Sequence, residues 1–289
     1  MRLDGRRTST HVDDRRGRSS GRRGMAIGGG IVGIIIAAVA TWLSGGNPID
    51  VLSGALGNTG FESQQQTYTP TAEEEELADF SKKIFAGTED VWTKLFAEQG
   101  RTYEPPTLVL YTGATTSGCG NADASIGPFY CSADETVYID LSFFSDMRRT
   151  IGADGDFAYA YVIAHEVGHH VQHLLGQLAQ SHDKMQRSSQ TESNHESVRL
   201  ELQADYYAGV WAHHDNLMFG SLEPGDIEEA LDAAQKIGDD YLQKRAQGYA
   251  VPDSFNHGTS AQRERWLRKG LDTGTIAAGD TFSPSYSSL

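Results

Sequence analysis

Residues His165 to His169 read His-Glu-Val-Gly-His. Two histidines four apart stand one turn above the other on the same face of an α-helix, so both imidazoles can reach one metal ion. Glu166 sits one position round from His165. There it can flank a metal without ligating it, which is where a base must stand to take a proton from a metal-bound water. Further along comes Glu201-Leu-Gln-Ala-Asp205, and Glu201 and Asp205 also share a helix face. Glu201 is the natural third ligand of a two-histidine, one-glutamate Zn2+ set. Asp205, one turn on, can accept the outer ring N–H of a ligand histidine and fix its tautomer. Three protein ligands leave the fourth tetrahedral position open for water, which marks a catalytic rather than a structural zinc site.

The flanking residues supply helices to carry these groups. Phe157, Tyr161, Ala164, Gly168, Val171 and Leu175 fall at helical spacing opposite the histidines, and Asp154 and Asp156 stand where acids suit the helix start. Gly168 is costly in a helix interior by roughly 1 kcal/mol against alanine, so a second helix is expected to pack closely there. Ser197 to Ala212 reads as that second helix, with Leu200, Ala204, Tyr207, Ala208 and Trp211 as its apolar stripe. His170 and His173 point away from the His165–His169 line and are not expected to be ligands. Gly176 to Asn194 reads as a polar loop or a poorly packed surface helix and a candidate cleft rim, with His182 and His195 as exposed histidines.

The string from Tyr161 to Gln172, the Glu201–Asp205 segment, His257-Gly-Thr-Ser-Ala-Gln-Arg263, Gly127-Pro-Phe-Tyr-Cys131 and the run Val137 to Phe144 together resemble the neutral zinc metallopeptidase family of bacterial membrane-anchored proteins. The resemblance spans roughly residues 60 to 273, with wider kinship to gluzincins. It implies an α+β, zincin-like domain, mainly helical with a small sheet, that hydrolyses peptide or protein substrates. It also implies that the strand just before the metal helix, here Thr136 to Phe144, borders the cleft. A zincin needs a donor for the oxyanion that develops on the attacked carbonyl. His257, just ahead of the Gly258-Thr-Ser helix start, is the candidate, with Arg263 or a tyrosine as rivals. The alternative to a peptidase is a zinc-binding, catalytically silent, membrane-tethered interaction domain.

The chain has 289 residues, 38% of them hydrophobic, enough for one sizeable domain with appendages. Its formal charge is −15, yet residues 1–24 hold eight arginines against three aspartates. The acidic remainder argues against nucleic acid as a partner. Residues 25–44 carry no charge, and such a helix spans roughly 30 Å, the thickness of a bilayer's hydrocarbon core. The arginines ahead of it predict a cytoplasmic N-terminus over 1–24, a transmembrane helix over 25–44 and a domain outside the cytoplasmic membrane. A cleaved signal peptide, with Ala38-Val39-Ala40 as its cleavage site, is the rival reading. Residues 45–70 read as a flexible linker, 71–273 as the metallopeptidase domain and 274–289 as a disordered tail. Cys119 and Cys131 are the only cysteines. In an oxidising compartment they would pair; a thiolate metal site or two free thiols are the alternatives.

Among the remaining elements, the spacing predicts a helical region from Thr71 to Phe96, broken near Gly87. It also predicts a strand over 107–112, one helix from about Glu223 to Ala246, and a last helix over 259–271.

Overall fold

The computed structural model of the protein describes residues 1–18, 68–123 and 125–289. The expected membrane helix over 25–44 and nearly all of the 45–70 linker lie outside the described residues. Among those described, no helix is long and apolar enough to cross a membrane.

The body is α+β and mainly helical. Helix α1 (Ala72–Glu98) starts on a capping box, in which Thr71 accepts the Glu74 N–H and Glu74 reaches back to the Thr71 N–H. It runs through Gly87 without the expected break. A Cβ at Gly87 would stand 2.6 Å from Arg6 Nη2, so this glycine serves close approach rather than a bend. The main sheet has strand order β1-β2-β6-β5, with β1 (Val12–Asp14), β2 (Thr107–Tyr111) and β6 (Thr136–Asp140) parallel and β5 (Phe129–Cys131) antiparallel at one edge. β3 (Ala114–Ser117) and β4 (Gly120–Asp123) form a separate hairpin. The strand expected over 136–144 stops at Asp140. Asp140 accepts the Ser142 N–H, and Ser142 opens helix α2 (Ser142–Ile151).

Helix α3 (Asp156–Leu174) carries the paired histidines and is buried along most of its length. It packs against α5 (Gln190–Phe219), which carries Glu201 and Asp205. The close packing predicted at Gly168 is present, for a Cβ there would lie 2.9 Å from the Ala204 carbonyl oxygen. The polar stretch expected as a loop or a poorly packed surface helix takes the second form, as helix α4 (Gln177–Met185) and the first turn of α5, capped by Ser189. The single helix expected over 223–246 is two, α6 (Asp226–Lys236) and α7 (Asp239–Gln247). Asp239 explains the break: its carboxylate accepts the N–H groups of Asn256, His257 and Gly258 while its own N–H donates to the Gly258 carbonyl. Helix α8 (Ser260–Thr273) closes the core against α5.

Both ends of the described chain depart from expectation. The tail after Thr273 is docked, not loose: Thr281 is fully buried and Leu289 is 3% exposed. Arg199 on α5 donates to the carbonyls of Thr281 and Pro284. The basic head is also part of the body. The Met1 ammonium lies 3.2 Å from both Asp226 and Glu223, and Arg6 meets the buried Asp215 at 2.7 Å. β1 extends the sheet. Arg2, Arg6, Arg7 and Arg16 of this segment pair with domain carboxylates, a partner set that charge counting cannot reveal. These contacts dock residues 1–18 on the domain body, where the sequence suggests a free basic appendage.

Candidate metal centre

The α3–α5 packing brings the three expected ligands together. His165 Nε2 lies 3.2 Å from Glu201 Oε2, His169 Nε2 lies 3.4 Å from Glu201 Oε1, and the three ligand atoms fall within 4.8 Å of one another. Ligand atoms about 2.0–2.2 Å from one tetrahedral ion stand roughly 3.3–3.6 Å apart, so the donor set has the type and spacing for zinc. Burial opposes charge on His165, but Asp205 and Glu201 outweigh it and hold the imidazole pKa up at about 10. Burial would likewise raise Glu201, yet His169 and His165 hold its carboxyl well below the ordinary value. The site therefore demands positive charge beside Glu201. A Zn2+ ion meets that demand while leaving both imidazoles neutral.

Each histidine of the cluster is held from behind. His165 Nδ1 donates to Asp205 Oδ1 at 2.8 Å, the contact expected of Asp205. Asp205 is fully buried and also accepts the Tyr161 hydroxyl at 2.6 Å and two N–H groups of Arg263 at 2.8 and 2.9 Å. Burial works against its charge, but Arg263 and His165 hold its pKa down to about 2. Arg263 thus has its Nε and Nη2 groups turned to Asp205. His169 Nδ1 donates to Gln172 Oε1 at 2.9 Å. The sequence reading missed Gln172, although its place three residues after His169, on the same helix face, was the available signal.

The centre opens into a cavity of about 630 Å³. Glu166 lies in its floor, 8% exposed, and accepts no hydrogen bond from any described residue. Burial raises its pKa against the pull of His165 and His169, which suits a general base. His257 lines the same cavity and is half-exposed. Its Nδ1 faces Asp239 Oδ1 at 3.3 Å, and partial burial is outweighed by Asp239 and Glu201, so its pKa is raised. Asp239 was missed because the single helix expected over 223–246 places it in mid-helix, where an acid reads as an ordinary solvated residue. The strand bordering the cavity is β5, through Phe129 and Tyr130; the expected strand β6 is buried between β2 and β5. Cys131 at the end of β5 is joined by a disulfide to Cys119, which also lines the cavity. His170 faces away from the centre as expected, between the Tyr130 hydroxyl at 3.0 Å and the Glu104 carbonyl at 2.7 Å, and ties β5 to the metal helix.

A mainly helical α+β body with a buried two-histidine, one-glutamate cluster on two packed helices is consistent with a zincin-like domain. The family model described as "Putative neutral zinc metallopeptidase" matches residues 1–282, and the chain belongs to that family. Its relatives include "Uncharacterized protein YpfJ" of Escherichia coli (strain K12), 50% identical over 289 residues that cover 99% of this chain and 100% of that protein. Another is "Uncharacterized protein Rv2575" of Mycobacterium tuberculosis H37Rv, 41% identical over 191 residues, 63% of this chain and 64% of that protein. No solved structure matches the chain.

Proposed function

We propose that the protein is a zinc-dependent endopeptidase acting on polypeptide segments with apolar side chains. The observation that carries this reading is the convergence of His165, His169 and Glu201 beside an unengaged Glu166 carboxylate in one cavity. A bound Zn2+ supplies Lewis-acid polarisation of the peptide carbonyl and acidifies water. Glu166 takes the proton of the attacking water and delivers it to the departing amide nitrogen. His257, aimed by Asp239, donates to the carbonyl oxygen as negative charge develops there. Edge strand β5 offers main-chain groups to an extended substrate.

The endopeptidase reading follows from the charges in the cavity. Among the described residues its lining holds four charged side chains besides histidines: Glu166, Glu201, Asp239 and Arg263. Glu201 is assigned to the metal and Glu166 to the proton transfer. Asp239 is engaged by three backbone N–H groups and His257, and Arg263 by Asp205. Apart from histidines, no acidic or basic side chain of the described lining is left without an assigned partner or role for a substrate's terminal ammonium or carboxylate, and burying an unpaired charge costs several kcal/mol. The walls are apolar, with Leu178 and Met185 on α4, Leu200 on α5, Ile237 at the end of α6 and Leu242 on α7. We place this domain outside the cytoplasm, a reading supported by the Cys119–Cys131 disulfide.

The test is hydrolysis of an internally quenched peptide with both ends blocked and a central apolar pair. Wild type should cleave it, lose the activity to a zinc chelator and regain it with Zn2+. The His257→Ala variant should lose roughly 10²–10³-fold in kcat with little change in KM. Release of single residues from free ends, with blocked peptides untouched, would contradict the endopeptidase reading. Zinc binding without cleavage of any peptide would favour a silent binding module.

A further inference from the structure

A line of buried amides runs from the metal centre to the C-terminal tail. His169 Nδ1 faces Gln172 Oε1 at 2.9 Å. Gln172 Nε2 donates to the Leu200 carbonyl at 2.7 Å and to Gln203 Oε1 at 3.1 Å. Gln203 Nε2 donates to the Gly279 carbonyl at 2.8 Å. Gln172 is fully buried and Gln203 is 6% exposed, so neither amide has water as a ready substitute partner.

The direction of this line is fixed by backbone carbonyls, that of Leu200 beside Gln172 and that of Gly279 at the far end. A backbone carbonyl can only accept. The Gly279 oxygen therefore orients the Gln203 NH2 group toward the tail and its Oε1 toward Gln172. That oxygen and the Leu200 carbonyl together require the Gln172 NH2 group on their side, which leaves Gln172 Oε1 facing His169. An acceptor there requires the proton of His169 on Nδ1 and leaves the Nε2 lone pair for a metal.

We propose that residues 276–289 are a positioning element of the metal centre: through Gln203 and Gln172 the docked tail sets the tautomer and ring orientation of His169. This rests on the reading of His169 as a zinc ligand. The tail is built to stay in place. Gly279 sits where a Cβ would lie 2.5 Å from the Tyr206 ring, Thr281 Oγ1 donates to the Arg199 carbonyl at 2.7 Å, and the Tyr286 ring stacks on His195 at 3.6 Å. Tail and metal ligand thus report to each other across α5, although the tail touches no ligand.

The test measures zinc affinity in the full chain by competition with a chromophoric chelator, together with the Co2+ absorption spectrum and the melting temperature of the metal-free protein. Gln172→Leu and Gln203→Leu should each weaken zinc by roughly 10–100-fold, and deletion after Thr275 should weaken it to a similar degree. Arg6→Ala is the control: it breaks an ion pair to Asp215, roughly 21 Å along α5 from Glu201 at about 1.5 Å per residue. It should lower the melting temperature and leave zinc affinity unchanged. If the tail deletion fails to fold, Gln203→Leu alone decides. Wild-type zinc affinity and an unaltered Co2+ spectrum in folded Gln203→Leu would overturn the proposal, as would an equal loss of affinity in Arg6→Ala. Absence of zinc from wild type would instead overturn the metal-site reading on which it rests.

Discussion

Glu166→Gln is expected to bind zinc as wild type does and to lose roughly 10²–10⁴-fold in hydrolysis. The substitution keeps the side chain's size and replaces an unengaged carboxylate by an amide that cannot take a proton. Glu166 is not among the three converging ligand atoms and accepts no hydrogen bond from the described residues, so neither the metal set nor the packing loses a partner. Parallel measurement of zinc content and initial rate separates chemistry from binding. Near-wild-type turnover in a zinc-replete Glu166→Gln protein would remove Glu166 as the base. Loss of zinc in step with activity would make it part of the binding set.

The second large effect is predicted for Asp205→Ala. One carboxylate receives His165, Tyr161 and two N–H groups of Arg263, and Arg263 is itself only 3% exposed. Its removal leaves a guanidinium buried without a counter-charge, at a cost of about 3–5 kcal/mol, and leaves the His165 ring without its orienting acceptor. Denaturation should register the stability loss, and a chelator titration should show zinc weakened by roughly 10–100-fold. The sign with pH follows from the depressed pKa of Asp205. Its stabilisation is fully present above the ordinary carboxylate value and is lost as pH falls toward about 2. An Asp205→Ala protein as stable as wild type, with zinc affinity intact, would contradict the placement of Asp205 at the centre of this network.

The ligand set was legible because helical periodicity converts spacing into a shared face. His165, His169, Glu201 and Asp205 needed only that rule, and Gly168 announced the helix that brings the two pairs together. Elements fixed by long-range partners were not legible. Gln172 and Asp239 look like ordinary polar helix residues until the groups they hold are seen. Edge strand β5 is three residues long and carries no alternating pattern of its own. The two ends of the chain misled for one reason: composition reports what a segment can do in water, not what it can dock against. Arginines in 1–18 meet Glu89, Asp90 and Asp215, and the Ser- and Gly-rich tail is held by Arg199 and Gln203.

The central claim is the metal centre, and the most direct measurement is zinc content of the full chain, wild type beside Glu201→Ala. The full chain is required because Met1, Arg6 and β1 belong to the folded body. One zinc per wild-type chain, lost or greatly weakened in Glu201→Ala, is the predicted result. A folded wild type that binds no zinc, or a Glu201→Ala protein that binds it with undiminished affinity, would contradict the ligand set proposed for this site.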